Sequence, residues 1–317
     1  MLVPEFKGFD FFPHGTHLPF MRYKGLCFGA SIVAMLVSLA IVFTLGFNYG
    51  VDFKGGSLIE VRSTTGPADV SALRDKLGGL GLGSVQIQGL GEATDVLIRV
   101  EQQPGGEAVQ QDALKKVVAA LGDSYQQRRV EVVGPAVSSE LRTTGIIAVI
   151  ASIIAIIMYV WFRFEWQFAL GTVVALTHDV LLTIGVFALF QLEFDLSIVA
   201  ALLTILGYSV NDTVVVSDRI RENLRKYKKM DLTDLLNLSI NETLSRTVLT
   251  GVTTLVVLIA LYLFGGEVIR NFSFAMLFGI IVGTYSSIFI AAPLLGYLGV
   301  KRDWSGANTA TPAAAKV

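Results

Sequence analysis

The chain has 317 residues, of which 53% are hydrophobic and only 16% are charged, with a formal net charge of −1. This composition excludes an ordinary soluble domain of the same length and indicates several membrane spans. The near-neutral charge gives no electrostatic reason to expect a nucleic-acid partner, and the single cysteine, Cys27, excludes an intrachain disulfide.

Residues 1–25 combine aromatic and basic side chains, which is typical of a segment lying at the membrane surface on the cytoplasmic side. The apolar run that follows is too long and begins too far into the chain for the apolar part of a signal peptide. We therefore interpret residues 26–47 as a retained first span.

Six apolar runs in total have about the 20 residues that are needed to cross a bilayer. They cover residues 26–47, 144–162, 168–191, 196–216, 248–265 and 272–297. Lys and Arg cluster at alternate ends of these runs, which predicts an inner-membrane protein with both termini in the cytoplasm. Residues 144–303 then form a bundle of spans two to six with a cytoplasmic loop at 217–247, and residues 304–317 form a disordered tail.

The segment 48–143 is predicted to be one periplasmic domain. Its periodicity gives strands near 57–63, 85–88, 95–101 and 129–133, and helices near 67–80 and 107–121. The order β-α-β-β-α-β is the ferredoxin-like pattern of an α+β domain. This segment contains no histidine, no cysteine and no phosphate-binding or nucleophile motif, which favours a binding or mechanical role.

Asp212 lies near the cytoplasmic end of the fourth apolar run, between Asn211 and Thr213. A carboxylate at the centre of a membrane helix costs about 2.5–3.5 kcal/mol on insertion scales, so it usually has a function and a partner. The fifth run begins beside Arg246, and the cytoplasmic connection brings the ends of runs four and five together. Arg246 is therefore a candidate partner. The alternatives are a capping carboxylate at the interface for Asp212 and an ordinary basic anchor for Arg246.

The third run carries His178 and Asp179 almost at its centre. Asp179 belongs to a stripe of small residues that recurs every four positions and allows two helices to approach closely. The sixth run has a similar stripe. The two stripes are Gly171, Ala175, Asp179 and Thr183, and Ala275, Gly279, Gly283 and Ser287. A packed, hydrogen-bonded histidine and a carboxyl group that bonds a neighbouring helix are the simpler interpretations of His178 and Asp179.

Motifs of intramembrane proteases, zinc proteases and phosphate-binding loops are missing from the sequence. We therefore expect a protein that is not an enzyme, with no cofactor and no bound metal.

Five short blocks together resemble a known family. They are residues 51–56 (VDFKGG), 178–180 (HDV), 207–223, 244–247 (LSRT) and 263–266 (LFGG). The chain resembles the SecF family, the smaller membrane subunits of the bacterial SecDF protein-export complex. The similarity extends over nearly the whole chain.

The resemblance implies one half of a twelve-span unit related to the resistance–nodulation–division transporters, formed with SecD and often accompanied by YajC. It implies use of the proton-motive force to assist preprotein export after the SecYEG channel and SecA. Asp212 and Arg246 correspond to the family's proton-relay residues. Asn211, Thr213, His178 and Asp179 would support them. Asp52, Phe53, Gly55 and Gly56 would form a hinge that carries motion to the periplasmic domain.

Two other functions remain open at this stage. A half-transporter for a small hydrophobic solute would need an apolar pocket in the 48–143 domain and would act as a homo-oligomer. A purely structural assembly subunit would tolerate neutralisation of Asp212. Co-purification with a SecD-like partner would separate the first of these from the export function.

Overall fold

The computed structural model describes residues 17–83 and 85–300, without the side chains of Glu267 and Val268. Most of the predicted surface segment 1–25 and the whole predicted tail 304–317 lie outside these residues. Within them, six helical segments are long and apolar enough to cross a membrane. They are α1 (Lys24–Leu45), α5 (Pro135–Arg163), α6 (Trp166–Leu189), α7 (Leu196–Lys226), α8 (Leu232–Phe264) and α9 (Glu267–Ser286) with its continuation through a π-helical stretch (Ser287–Ala291) into α10 (Ala292–Leu298).

Helices α6, α7 and α9 form the centre of the bundle. Half of the most apolar stretch of α6 and of α7 is buried, against 11% in α1 and in α5. The small-residue stripe predicted on the sixth span packs on α7, where a Cβ at Gly279 would collide with Ile205 and one at Gly283 would lie 3.1 Å from Ser209 Cβ. These glycines let two helix backbones approach, as the sequence predicted.

The fourth and fifth spans extend well beyond the apolar runs. The connection predicted as a loop over 217–247 is largely helical, because α7 continues to Lys226 and α8 begins at Leu232. Polar side chains join the two helices here, including Asn223 Nδ2, which donates to Ser239 Oγ at 3.0 Å. A polar helical hairpin has no apolar run to reveal it, so hydropathy underestimated both helices.

The segment between α1 and α5 contains a four-stranded antiparallel sheet with two helices on one face. Its elements are β2 (Gly56–Ser63), α3 (Val70–Gly78), β3 (Val85–Leu90), β4 (Glu92–Glu101), α4 (Glu107–Leu121) and β5 (Tyr125–Val133), and the strand order is β3-β4-β2-β5. The predicted order of elements is present, and the arrangement is that of a split β-α-β unit. Ile59, Val61 and Ile98 on the sheet are buried against Leu77 and Val117 on the helices.

A short junction connects this domain to the spans. β1 (Asn48–Tyr49) pairs in parallel with β6 (Glu193–Phe194), which lies in the connection between α6 and α7. A single helical turn, α2 (Val51–Lys54), then leads into β2. Gly55 and Gly56 have φ angles of 75° and 123°, and a Cβ on Gly56 would collide with the carbonyl oxygen of Val100. Only glycine adopts such a conformation without strain, so the Gly-Gly pair fixes where the sheet begins.

Candidate functional site

Asp212 is buried on α7 and is held by hydroxyl groups. Its Oδ1 accepts a hydrogen bond from Thr247 Oγ1 on α8 at 2.6 Å, and its Oδ2 accepts one from Ser287 Oγ at 2.6 Å. The side chain is only 6% exposed. Three spans therefore meet at this carboxylate, and the capping role at the interface does not describe it.

Asp179 is completely buried on α6. Its Oδ2 accepts hydrogen bonds from Ser209 Oγ on α7 at 2.5 Å and from Ser286 Oγ on α9 at 2.9 Å. Its Oδ1 lies 2.9 Å from Nδ1 of His178, which is also buried. Three spans meet here as well, and the two carboxylates use consecutive serines as donors.

Those serines lie where α9 changes from α-helical to π-helical hydrogen bonding, at Ser286 and Ser287. π-Helical turns inside α-helices are frequent at functional sites. Pro293 follows in the first turn of α10 and has no N–H group to donate to the preceding turn. The missing donor favours irregular backbone hydrogen bonding in this part of the helix. The local geometry thus directs two neighbouring hydroxyls at acids on two different helices.

Arg246 does not contact Asp212 directly. No ion pair within 4.0 Å joins these two described residues, although the positive charge of Arg246 still acts on the carboxylate. Successive residues of an α-helix point about 100° apart, so when Thr247 faces Asp212 the preceding Arg246 projects from the exposed side of α8. The predicted direct partner is therefore replaced by two hydroxyls.

The two neighbours of Asp212 have different surroundings. Asn211 is exposed on α7 and takes no part in the cluster. Thr213 is buried, and its hydroxyl has no hydrogen-bond partner within residues 17–83 and 85–300. Among the predicted polar residues, Asp179 bonds His178. Asp179 and Asp212 do not bond each other; they accept hydrogen bonds from the neighbouring residues Ser286 and Ser287.

Two of the predicted hinge residues, Asp52 and Phe53, lie at the junction between the domain and the start of α7. Asp52 Oδ2 accepts a hydrogen bond at 2.9 Å from the backbone N–H of Leu196, the first residue of α7. Phe53 is buried, with its ring centroid 6.0 Å from that of Phe194. An acid from the domain junction thus satisfies an unpaired donor at the start of the helix that carries Asp212.

Charged groups reinforce this contact. Arg99 on β4 forms an ion pair with Glu193 on β6, and both side chains are mostly buried. Burial raises the pKa of the Glu193 carboxyl, although the nearby Arg99 opposes that shift. Burial also raises the pKa of Asp195, which caps α7 by accepting a hydrogen bond from the Ile198 N–H at 3.2 Å. Asp52, Glu193 and Asp195 therefore lie near the start of α7, and Arg99 pairs with one of them.

A cleft of about 430 Å³ separates the uncovered face of the sheet from the ends of the spans. Its lining is mainly polar and includes Glu60, Arg99, Arg129, Glu193 and Asn271. This cleft is not the apolar pocket that transport of a hydrophobic solute would need.

The sequence did not identify several residues that the structure places in the site. Ser287 belongs to the predicted small-residue stripe and Thr247 directly follows Arg246, but hydroxyl side chains are common in membrane helices and carry no special signal. No motif or spacing in the sequence singled out Ser209, Ser286 or Arg99.

The fold and the site define the class of protein. The chain is a six-span helical membrane protein with an α+β domain between its first two spans and two buried acids where the central spans meet. Family models extend this description. Residues 113–301 match the C-terminal part of the protein export membrane proteins SecD and SecF, and residues 40–66 match the SecD/SecF GG motif. The chain belongs to the SecD/SecF family of protein export membrane proteins.

Individual relatives agree with this assignment. Protein translocase subunit SecF from Cereibacter sphaeroides is 50% identical over 299 residues, which cover 92% of each chain. The same subunit from Rhodobacter capsulatus is 47% identical and covers 95% of this chain and 92% of its own.

Longer relatives contain a region that is similar to this chain. Protein translocase subunit SecDF from Brucella abortus is 44% identical over 95% of this chain, which spans 40% of the SecDF length. The crystal structure of SecDF from Thermus thermophilus, described as a translocon-associated membrane protein, superimposes with a TM-score of 0.79 at 36% identity. The match covers 90% of this chain and 39% of that one.

Proposed function

We propose that this chain is the SecF-type subunit of an inner-membrane protein translocase and that it drives preprotein export with energy from proton binding at Asp212. A SecD-type partner would supply the rest of the complex. This is supported by the SecDF relatives, in which the matching region occupies only about two fifths of one longer chain.

The observation that carries the proposal is the environment of Asp212. Its carboxylate is buried between three spans and is bonded to neutral hydroxyls rather than to a cation at close range. An ionised carboxylate in such surroundings is costly, and binding a proton removes that cost. Arg246, whose charge acts from the exposed side of α8, would favour release of the proton again.

Helix α7 offers a direct route from the acid to the domain. Asp212 lies sixteen residues beyond Leu196, where Asp52 caps the helix, a distance of about 24 Å along the axis. A change at Asp212 that shifts α7 would therefore reach the domain through one continuous helix. A proton crossing 100 mV supplies about 2.3 kcal/mol, which corresponds to about fiftyfold in a conformational equilibrium.

In this proposal the termini lie in the cytoplasm and the 48–143 domain lies in the periplasm, where it contacts the emerging preprotein. The complex acts after SecYEG and SecA, with YajC as a further companion. Binding and release of a proton make and break only an O–H bond on the carboxyl group, so the subunit works without enzymatic catalysis and without a cofactor.

The test uses inverted membrane vesicles that carry the complex of this chain with its SecD-type partner. Export of a model preprotein is measured with and without a proton-motive force. Asp212→Asn keeps the size of the side chain and removes its titration, so the proton-driven part of export is expected to disappear while ATP-driven export stays. Arg246→Met is expected to reduce the same component.

Asp218→Asn is a matched control. It makes the same change on the same helix, but its side chain is 59% exposed and lies 3.5 Å from Arg163. Export by this variant should equal that of the parent. Full proton-driven export by Asp212→Asn in an intact complex would refute the proposal and would favour the purely structural role.

A further inference from the structure

Asp179 has surroundings like those of Asp212. It is completely buried, and its partners are two serine hydroxyls and the imidazole of His178. Within the part of the chain that the structure describes, no Lys or Arg forms an ion pair with it. Its charge therefore has no close cation to balance it, and a proton would neutralise it directly.

His178 does not supply the missing positive charge. Its Nε2 is buried and has no hydrogen-bond partner among the described residues. A protonated imidazole would carry an N–H at that position with no acceptor, which is unfavourable in a buried site. The neutral ring, with Nδ1 facing Asp179, fits the geometry.

The hydrogen bonds of the two serines do not fix one protonation state. Ser286 Oγ lies 2.9 Å from Asp179 Oδ2 and 3.0 Å from the carbonyl oxygen of Gly283. Ser287 Oγ lies 2.6 Å from Asp212 Oδ2 and 2.9 Å from the carbonyl oxygen of Thr284. A hydroxyl has one hydrogen but two lone pairs. Each serine can donate to an ionised carboxylate, or can accept from a protonated one while donating to the carbonyl.

We propose that Asp179 is a second proton-binding site, linked to Asp212 by the positioning residues Ser286 and Ser287. The inference rests on the proposed function for the role of Asp212, but the titration of Asp179 can be measured independently of export. Proton uptake forms one O–H bond on the carboxylate and removes its charge, and release breaks that same bond. The adjacent hydroxyl rotates to its carbonyl acceptor on uptake and back on release.

Coupling between the sites follows from their shared helix segment. The donors are consecutive residues, whose Cα atoms are ~3.8 Å apart, so the two acids are bonded to neighbouring side chains of one helix. Two carboxylates that share a buried site disfavour each other's ionised form, and their titrations become linked. A proton bound at one acid therefore changes proton binding at the other.

The remaining titratable groups around the pair lie on the packed helices. The Tyr285 ring centroid is 6.0 Å from that of His178, and its hydroxyl donates to the backbone carbonyl of Cys27 at 3.0 Å on α1. Arg246 acts on Asp212 from α8. Neither Tyr285 nor Arg246 donates a hydrogen bond to Asp179, whose partners are His178, Ser209 and Ser286.

The experiment is infrared spectroscopy of the intact complex with its SecD-type partner in lipid, titrated between about pH 4 and pH 10. The carbonyl stretch of a protonated carboxyl group reports each acid. Asp179→Asn should remove one titrating band that Asp212→Asn leaves in place, and each substitution should move the midpoint of the other band. Proton-driven export by Asp179→Asn should fall about tenfold.

Ser286→Ala and Ser287→Ala test the link without removing an acid. Each should displace the bands and reduce proton-driven export several-fold, and threonine at either position should restore both properties. Ser273→Ala is the matched control, because Ser273 is buried on the same helix and its hydroxyl has no partner within the described residues. It should leave the spectra unchanged.

The outcomes separate the two proposals. An Asp179 band that does not titrate, or Ser286→Ala spectra identical to those of the parent, would overturn the second site even if Asp212→Asn abolishes proton-driven export. Linked titration of both acids would support it even if export proved independent of Asp212. If Asp179→Asn fails to assemble, the Ser286→Ala spectra decide the question, since that variant retains both acids.

Discussion

The contact between Asp52 and the start of α7 gives the sharpest prediction, because it ties the domain to the helix that carries Asp212. Asp52→Ala removes the acceptor that lies 2.9 Å from the Leu196 N–H. Loss of a helix cap costs ~1 kcal/mol, and loss of a negative charge at a helix start adds ~0.3–1 kcal/mol. Since 1.4 kcal/mol corresponds to tenfold, the opening of this first turn should become roughly tenfold more frequent.

Hydrogen exchange followed by mass spectrometry measures this opening in the intact complex. The first turn of α7 should exchange roughly tenfold faster in Asp52→Ala, and proton-driven export should fall while assembly stays normal. The exchange rate of this turn in Asp52→Asn should lie between those of the parent and of Asp52→Ala, because asparagine caps a helix well but lacks the negative charge.

The control is Asp69→Ala, which removes a similar cap inside the domain. Asp69 Oδ1 accepts hydrogen bonds at 3.0 Å from the N–H groups of Ser71 and Ala72 at the start of α3. This variant should loosen α3 and leave both α7 and proton-driven export unchanged. Equal exchange at the first turn of α7 in Asp52→Ala and in the parent would refute the reasoning.

Three further predictions concern packing and pH. Gly279→Leu should prevent assembly of the bundle, because a Cβ there already collides with Ile205, and the yield of folded complex measures this. Leu77→Ala should destabilise the domain by about 2–5 kcal/mol, measured as faster exchange of its core strands, because the side chain is fully buried. Asp195→Asn should keep its cap but lose a titrating group whose pKa is raised by burial. A carboxyl group whose pKa is raised in the folded state stabilises that state at low pH. This contribution is lost as the pH rises from the unfolded-state pKa through the folded-state pKa. The melting temperature of Asp195→Asn should therefore fall less than that of the parent over this pH range.

Each of these has a matched control. Gly207→Leu changes a glycine on α7 with no atom within 4 Å of its Cβ and should assemble. Val118→Ala truncates an exposed side chain on α4 and should leave exchange unchanged. Asp69→Asn alters an exposed cap and should keep the pH dependence of melting seen in the parent. An assembled Gly279→Leu complex, a Leu77→Ala domain with normal exchange, or an Asp195→Asn complex with the parent's pH dependence would contradict the corresponding argument.

Hydropathy and periodicity were sufficient to predict the six spans and the order of elements in the domain, because both depend on patterns within one segment. The close packing of Gly279 and Gly283 on α7 was also predictable, since small residues at intervals of four are a local signal. The full length of α7 and α8 was not predictable from hydropathy. Polar contacts, such as the hydrogen bond from Asn223 to Ser239, stabilise helical turns outside the apolar runs.

The hydrogen-bond partners of Asp179 and Asp212 could not be predicted from the sequence, because they lie far away along the chain. The donor to Asp212 from the last span is 75 residues away, and the corresponding donor to Asp179 is 107 residues away. Nothing in the local pattern distinguishes Ser287 from any other small residue on its stripe. Arg246 was the natural candidate because its charge is conspicuous, whereas the next residue, Thr247, faces the carboxylate.

The order of these residues along the chain has a consequence for how the protein is made. Asp179 and Asp212 are synthesised well before Ser286 and Ser287, so the membrane receives both acids before the last span can pair with them. A chain that stalls after five spans lacks the two serine donors and keeps only Thr247 at Asp212 and Ser209 and His178 at Asp179. An Asp at the centre of a membrane helix costs about 2.5–3.5 kcal/mol on insertion scales, so each missing donor leaves more of that cost in place. Insertion of the final span supplies the missing donor to each acid at the same time. An interrupted nascent chain therefore keeps two incompletely bonded carboxyl groups at the centre of its bundle, and a finished chain does not.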